Sequence, residues 1–208
     1  MVEVKNAEVH FPEIDINKFE DKDNYLKSIT VFADMKGNGV FMPEFQRYAK
    51  TANCGIIMSQ STMHSLDKFM TSDEYDPFTK YVSDEIKDIA KRNYDTWKKI
   101  KNKYEAAQED HIFSTGETKE WRLKVYNAFE TLVHNLPRGF ELWTTIVTNY
   151  FQLKTIVIQR KNHKNFEDWG NFVKFCYSLP KFRELCDFTN EIFDFDNLFP
   201  LFSEEKEF

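Results

Sequence analysis

The stretch Thr144–Trp169, TTIVTNYFQLKTIVIQRKNHKNFEDW, decides which fold this chain can adopt. Its first residues, TTIVT, are almost all β-branched, which predicts a strand. From Asn149 onwards, apolar residues recur at helical spacing, so a helix is expected to follow the strand directly. The stretch therefore predicts a protein that combines a sheet with helices.

Five polar side chains fall on one face of this predicted helix. At 100° per residue they occupy an arc of about 100°, which only one apolar residue shares. Amides beside a guanidinium suit a planar heterocycle and an anion, because together they supply donors, acceptors and a fixed positive charge. The stripe therefore predicts a ligand site, and the alternative is a polar outer face that meets water. The five residues are Asn149, Gln152, Gln159, Arg160 and His163, with Ile156 as the apolar member of the arc.

The whole chain, residues 1–208, is predicted to form one domain of the α/β or α+β class. Its small sheet is expected to be mixed or antiparallel and to pack with long helices. Residues 53–61 read as a loop before a short helix, and Thr118 is a candidate cap for a later helix. Strands are predicted at 2–11, 27–35 and 140–148, and helices at 43–52, 75–107, 118–135, 149–163 and 166–179.

Composition excludes several classes of protein. The net charge is −6, which argues against nucleic acid or an anionic membrane as the main partner, because both require excess Lys and Arg. No apolar run reaches the roughly 20 residues of a membrane span, and the first residues do not resemble a signal peptide. Three scattered cysteines and no metal-ligand spacing predict neither a disulfide framework nor a metal site. A cytoplasmic protein is expected.

A second group of polar residues precedes the predicted short helix. A helix start with clustered hydroxyls can bind phosphate through backbone N–H and side-chain O–H groups, and a nearby arginine would add charge. The alternative is an ordinary helix cap. Together with the stripe, this group predicts a site for a phosphorylated planar molecule such as a nucleotide. Its members are Gln46, Arg47, Ser59, Gln60 and Ser61.

The order of these features resembles the flavin-dependent thymidylate synthase family. That family shares the pattern LP…FxWTVNxRxLxxFLxLRxxxHAQWE, and the counterpart here is LPRGFELWTTIVTNYFQLKTIVIQRKNHKNFEDW. Asn149 and Arg160 keep the family's separation, and His163 and Trp169 follow with small changes of spacing. Trp143 lies three residues too early. The similarity covers residues 27–180 and is specific over 136–169.

A second family pattern, RHRxxSxNExSxRY, is eroded in this chain. Without gaps, residues 51–53 fall on the RHR triplet, Ser59 falls on the glutamate and Ser61 on the second serine. Arg47 stands in for one arginine only if the loop is longer by several residues. The chain therefore looks like a divergent branch of the family, of the kind that bacteriophages carry.

The resemblance implies an enzyme that methylates dUMP, or a related pyrimidine nucleotide, with FAD, NADPH and methylene-tetrahydrofolate. It also implies a homotetramer with composite sites at subunit interfaces. Arg160 would hold the pyrimidine carbonyl, Asn149 and His163 would contact the flavin, and Arg47 would meet the flavin or its phosphates. The flavin carries the hydride, so the protein supplies positioning and electrostatics. The substrate group would comprise Gln46, Ser59, Gln60, Ser61, Gln152 and Arg160.

Two other hypotheses remain open. The chain could be a catalytically inactive relative that binds a nucleotide as a sponge, sensor or regulator, which the eroded RHR pattern favours. It could also be a structural or interaction protein with an unrelated fold. Flavin content and nucleotide binding distinguish the three.

Overall fold

A computed structural model describes residues 1–49, 55–59, 62–109 and 114–190. Its strands are β1 (Glu3–His10), β2 (Thr30–Asn38), β3 (Gly55–Ser59) and β4 (Glu141–Asn149). Its helices are α1 (Lys22–Ser28), α2 (Phe41–Ala49), α3 (Thr62–Thr71), α4 (Asp84–Glu109), α5 (Thr115–His134), α6 (Tyr150–Arg160), α7 (Phe166–Ser178) and α8 (Phe182–Leu185), and a 3-10 turn spans Ile16–Lys18.

The four strands form one sheet in the order β1-β2-β4-β3. β1 pairs antiparallel with β2, and β3 pairs antiparallel with β4. The pairing of β1 is interrupted between Lys5 and Glu8, where Asn6 adopts φ 53° and donates from Nδ2 to Asp34 Oδ2 at 2.9 Å. A small sheet accompanied by helices of up to 26 residues confirms the predicted fold class.

The described chain divides into two compact units. The first contains the described residues of 1–37, 41–59 and 143–208, and the second contains those of 38–40 and 60–142. The expectation that residues 1–208 form a single domain stays a prediction.

The core of the first unit follows from alternation in β2 and helical spacing in α6 and α7. Val31, Ala33 and Met35 alternate along β2 and are buried, as the period of a strand requires when one face is covered. Side chains of α6 and α7 fill the same cluster. From these helices it includes Leu153, Ile156, Val157, Trp169, Phe172, Val173 and Cys176.

The core of the second unit is built on the packing of α4 against α5, whose apolar faces meet. The two buried aromatic residues of α4 are Tyr94 and Trp97. Tyr94 donates its hydroxyl to Asp67, which also pairs with Lys98 at 3.2 Å. Burial raises the pKa of Asp67, but the hydrogen bond from Tyr94 and the contact with Lys98 outweigh that effect and leave the pKa below its ordinary value.

Several predictions of where elements lie were wrong. The helix predicted from residue 75 begins at Asp84, because Pro77 and Phe78 extend along the chain that enters β4: Glu141 N donates to Pro77 O at 2.7 Å, and Phe78 bridges Phe140. The segment Gly55–Ser59, predicted as a loop, is strand β3 at the sheet edge. The cap of α5 is Ser114, not Thr118.

The capping of α5 carried a signal that could have been read. Ser114 and Glu117 have the S-x-x-E spacing of a capping box. Glu117 N donates to Ser114 Oγ, and the Glu117 carboxylate accepts from Ser114 N at 3.0 Å.

The strand predicted from residue 27 also begins late, at Thr30, because Lys27 and Ser28 close helix α1.

Candidate functional site

Tyr48 of α2 lies along helix α6 and contacts three of its polar residues. Its backbone carbonyl accepts from Gln152 Nε2 at 2.9 Å. Its hydroxyl donates to Gln159 Oε1 at 3.0 Å and accepts from Arg160 Nε at 2.7 Å. One tyrosine therefore links most of the predicted polar stripe to a second helix.

The position of Tyr48 follows from the apolar spacing of α2. Phe41 and Phe45 are completely buried, and at 100° per residue Glu44 and Tyr48 flank them on the same face of the helix. Pro43 lies in the first turn, where its missing N–H costs no helical hydrogen bond. Burial of the two Phe side chains thus turns a carboxylate and a phenol toward α6 and α7.

Glu44 is the acceptor at the centre of the site. Its Oε2 accepts from Trp169 Nε1 at 3.0 Å, lies 3.5 Å from Arg160 Nη1 and 3.9 Å from His163 Nε2. The side chains are partly shielded, with exposures of 18% for Arg160, 26% for His163 and 29% for Glu44. An ion pair that is shielded to this degree is stronger than a surface pair but still reachable by solvent.

Aromatic rings hold the guanidinium in place. The Arg160 Cζ atom lies 4.7 Å from the ring centre of Trp169 and 5.4 Å from that of Tyr48. The His163 ring packs edge to face with Trp169, with centroids 6.0 Å apart. Such contacts stabilise a cation and fix the plane of its fork. We call Glu44, Tyr48, Arg160, His163 and Trp169 the Arg160 cluster.

Two polar atoms of the cluster remain open. Arg160 Nη2 and Glu44 Oε1 have no hydrogen-bond partner within the part of the chain that the structure describes. The side chains that carry these two atoms are 18% and 29% exposed, so solvent reaches the pair. The Arg160–Glu44 pair therefore keeps one donor atom and one acceptor atom that are not used within the pair.

Asn149 lies at the other end of α6 and does not belong to the cluster. It is the N-cap residue, and its Oδ1 accepts from Gln152 N at 2.9 Å. Arg160 follows it by eleven positions, which corresponds to about 16 Å along the helix axis. His163 lies beyond the helix end, where its N–H donates to Arg160 O at 3.0 Å. The continuous stripe from 149 to 163 was therefore wrong as a single helical face.

The remaining predicted residues are not joined to this cluster by a described contact. Gln46 and Arg47 are exposed on α2. Ser59 ends β3 opposite Thr144, and its side chain lies outside the described part of the chain. Gln60 and Ser61 also lie outside the described residues. The roles predicted for all of these residues stay predictions.

Sequence reasoning missed Glu44 and Tyr48, although a signal was present. Arg47 has the more conspicuous charge, but the apolar pair Phe41 and Phe45 marks the buried face of α2. Residues three or four positions from these two share that face, and Glu44 and Tyr48 satisfy this spacing. A charged residue on a buried flank needs a partner, and Arg160 supplies it.

Replacement of Asn149 by alanine is expected to lower the free energy of unfolding by about 1 kcal/mol, because the N-cap hydrogen bond is lost. Asn149→Asp is the matched control, since an aspartate accepts the same hydrogen bond. Thermal melts of the two variants and the wild type test this. An Asn149→Ala variant as stable as the wild type would mean that the cap does not stabilise α6.

No group of three or more His, Cys, Asp or Glu side chains in the described ranges is arranged to hold a metal ion. Cys176 and Cys186 are buried thiols, and burial raises the pKa of both. None of the helices among these residues is long and apolar enough to cross a membrane.

No protein-family model and no curated protein matches the chain. Among solved structures, it is similar to Thymidylate Synthase X (ThyX) from Helicobacter pylori with FAD and dUMP, at 10% identity and a TM-score of 0.47, over 81% of this chain and 76% of that one. A second structure of the H. pylori flavin-dependent thymidylate synthase, complexed with FAD and dUMP, gives 10% identity and a TM-score of 0.48, over 78% and 73%. Both proteins are of the family that residues 136–169 resemble. Because a TM-score below 0.5 does not establish a shared fold, neither likeness assigns a function to this chain.

Proposed function

We propose that this chain is a flavin-dependent thymidylate synthase-like protein that binds a pyrimidine nucleotide such as dUMP at the Arg160 cluster. The observation that carries the proposal is the partly exposed pair of Arg160 and Glu44, in which Arg160 Nη2 and Glu44 Oε1 take part in no described hydrogen bond. An arginine donates to a ring carbonyl, and a carboxylate accepts from a ring N–H. Uracil presents these two groups side by side on one edge.

The same pair favours uracil over cytosine. At neutral pH the cytosine ring nitrogen next to the carbonyl is an acceptor, and it would face the Glu44 carboxylate without a proton between them. A site that leaves a polar group unpaired rejects a ligand strongly. Glu44 also compensates the charge of Arg160, so the phosphate is expected elsewhere. Arg47 is exposed, lies three residues after Glu44 and is the proposed phosphate contact.

FAD is proposed as the cofactor, because the isoalloxazine ring bears the same carbonyl and N–H edge and stacks on aromatic surfaces. His163, a member of the Arg160 cluster, is the proposed contact for such a ring. Asn149 is about 16 Å away along α6, so it would contact a different ring or a different copy of the site. A homotetramer with composite sites accommodates that separation. The phosphate partners proposed from the sequence also include Gln46, Ser59, Gln60 and Ser61.

The proposed reaction is reductive methylation of dUMP with NADPH and methylene-tetrahydrofolate as co-substrates. When bound, FAD supplies the hydride chemistry. Arg160 would bind the pyrimidine carbonyl and stabilise negative charge that develops on the ring. Tyr48 and Trp169 hold the guanidinium in one orientation, so little reorganisation is needed when the ring binds.

A second candidate is nucleotide binding without turnover. The observation that favours it is the 3.5 Å approach of Glu44 Oε2 to Arg160 Nη1. A carboxylate beside the arginine lowers the positive potential available to a developing ring anion, whereas it still permits recognition of a neutral ring edge.

The test combines the absorbance spectrum of the freshly purified protein with calorimetric titrations of FAD, dUMP and dCMP. We expect flavin absorbance or FAD uptake, and binding of dUMP at least about tenfold tighter than that of dCMP. Tritium release from 5-labelled dUMP, with NADPH and methylene-tetrahydrofolate present, separates the two candidates. Binding without release supports the non-catalytic candidate, and binding of neither flavin nor dUMP refutes both.

A further inference from the structure

Helix α5 has a second apolar surface on the side away from α4. Leu132 is completely buried toward α4, whereas Leu123 and Tyr126 are each 57% exposed. At 100° per residue, Leu123 lies about 180° from Leu132. Leu123 and Tyr126 lie on one continuous exposed surface of α5, together with Gly116, Lys119, Glu120 and Arg122.

The exposed residues recur at the spacing of a helix–helix seam. Lys119, Leu123, Tyr126 and Glu130 follow one another at steps of four, three and four residues. This alternation places them in one stripe, as the a and d positions of paired helices are placed. The stripe has apolar residues in the middle, a cation at one end and an anion at the other.

The charges at the two ends decide the orientation of a partner helix. Two parallel copies of α5 would bring Lys119 against Lys119 and Glu130 against Glu130, and like charges in contact are unfavourable. Two antiparallel copies bring Lys119 of one chain against Glu130 of the other, and Leu123 against Tyr126. Two identical ion pairs then flank one apolar centre, as a twofold axis requires.

We propose that α5 is a self-association surface that pairs antiparallel with α5 of a second copy of this chain. Lys119 has no ion-pair or hydrogen-bond partner among the described residues. Glu130 has a single described contact, with His134 at 3.1 Å, and its side chain is 37% exposed. Both groups are therefore available to a partner. This proposal does not depend on the function proposed for the Arg160 cluster.

Sedimentation analysis of the full chain over a concentration series, at low and high salt, tests the surface. The wild type is expected to associate reversibly, and Leu123→Glu to lower the assembly by at least one step, for example from dimer to monomer. Lys119→Glu is expected to weaken association about tenfold, because both symmetric ion pairs become repulsive. Lys99→Glu, the same charge change at an exposed position of α4, is the control and should behave as the wild type.

The double variant Lys119→Glu/Glu130→Lys is the decisive experiment. It again places opposite charges at positions 119 and 130 of the two chains, with their signs exchanged. Recovery of association relative to either single variant supports the antiparallel pairing. Thermal melts establish that each variant is folded, and exposed positions should leave the melting temperature nearly unchanged. A monomeric wild type at all concentrations, or Leu123→Glu and Lys119→Glu variants that assemble like the wild type, overturns the proposal. So does a double variant that is weaker than both single variants.

Discussion

Replacement of Trp169 by alanine is expected to lower the free energy of unfolding by about 3–5 kcal/mol. The side chain is completely buried, and its ring centre lies 4.6 Å from that of Phe41 and 6.0 Å from that of Phe172. Its indole N–H also donates to Glu44 at 3.0 Å. The variant would lose packing and leave a cavity, and it would remove one face of the Arg160 cluster.

Urea denaturation followed by circular dichroism measures this loss. Trp169→Phe is the matched comparison, because it keeps most of the buried ring but not the hydrogen bond to Glu44. We expect it to cost about 1 kcal/mol plus a small cavity term. If Trp169→Ala cost less than Trp169→Phe, or less than about 1 kcal/mol, the packing described for this residue would be incorrect.

Replacement of Arg160 by alanine is expected to weaken dUMP binding by about 1.5–3 kcal/mol, as for the loss of a charged hydrogen bond. The melting temperature should change little, since the Glu44 left behind is 29% exposed and can be hydrated. Calorimetric titration of dUMP, together with a thermal melt, measures both quantities on the same sample.

Two control variants sharpen the Arg160 experiment. Arg160→Lys keeps the charge but not the planar fork, so it should recover only part of the affinity. Lys164→Ala removes an exposed cation nearby and should bind dUMP like the wild type. A large fall in melting temperature with unchanged dUMP affinity would instead show that Arg160 is a structural partner of Glu44 and would remove it from the binding site.

The elements in and around Thr144–Trp169 could be predicted because residues close in the sequence determine them. The β-branched run gave strand β4, the helical period gave α6, and Pro180 placed the end of α7 to within one residue. β3 was not predictable in this way, since five residues around Gly55 become a strand only through pairing with β4. The start of α4 likewise depended on hydrogen bonds to residues about sixty positions later.

The candidate site likewise contains residues that local spacing identifies and residues that only tertiary packing brings in. Arg160 and His163 could be selected from residue type and spacing, because the stripe lies within one short segment. Glu44 and Tyr48 meet that segment only through the packing of α2 on α6 and α7, more than a hundred residues away in the chain. For Asn149 the structure adds a role that the spacing did not indicate, since its side chain caps helix α6, and its predicted contact with a ligand stays a prediction.

The interruption in β1 affects how the protein behaves at high concentration. β1 is an edge strand, and such strands are templates on which other chains can add in register. The left-handed backbone at Asn6 breaks the row of outward N–H and C=O groups after only a few residues. An incoming strand therefore finds no long, flat edge to extend, and the sheet is protected from ordered fibrillar growth at that side.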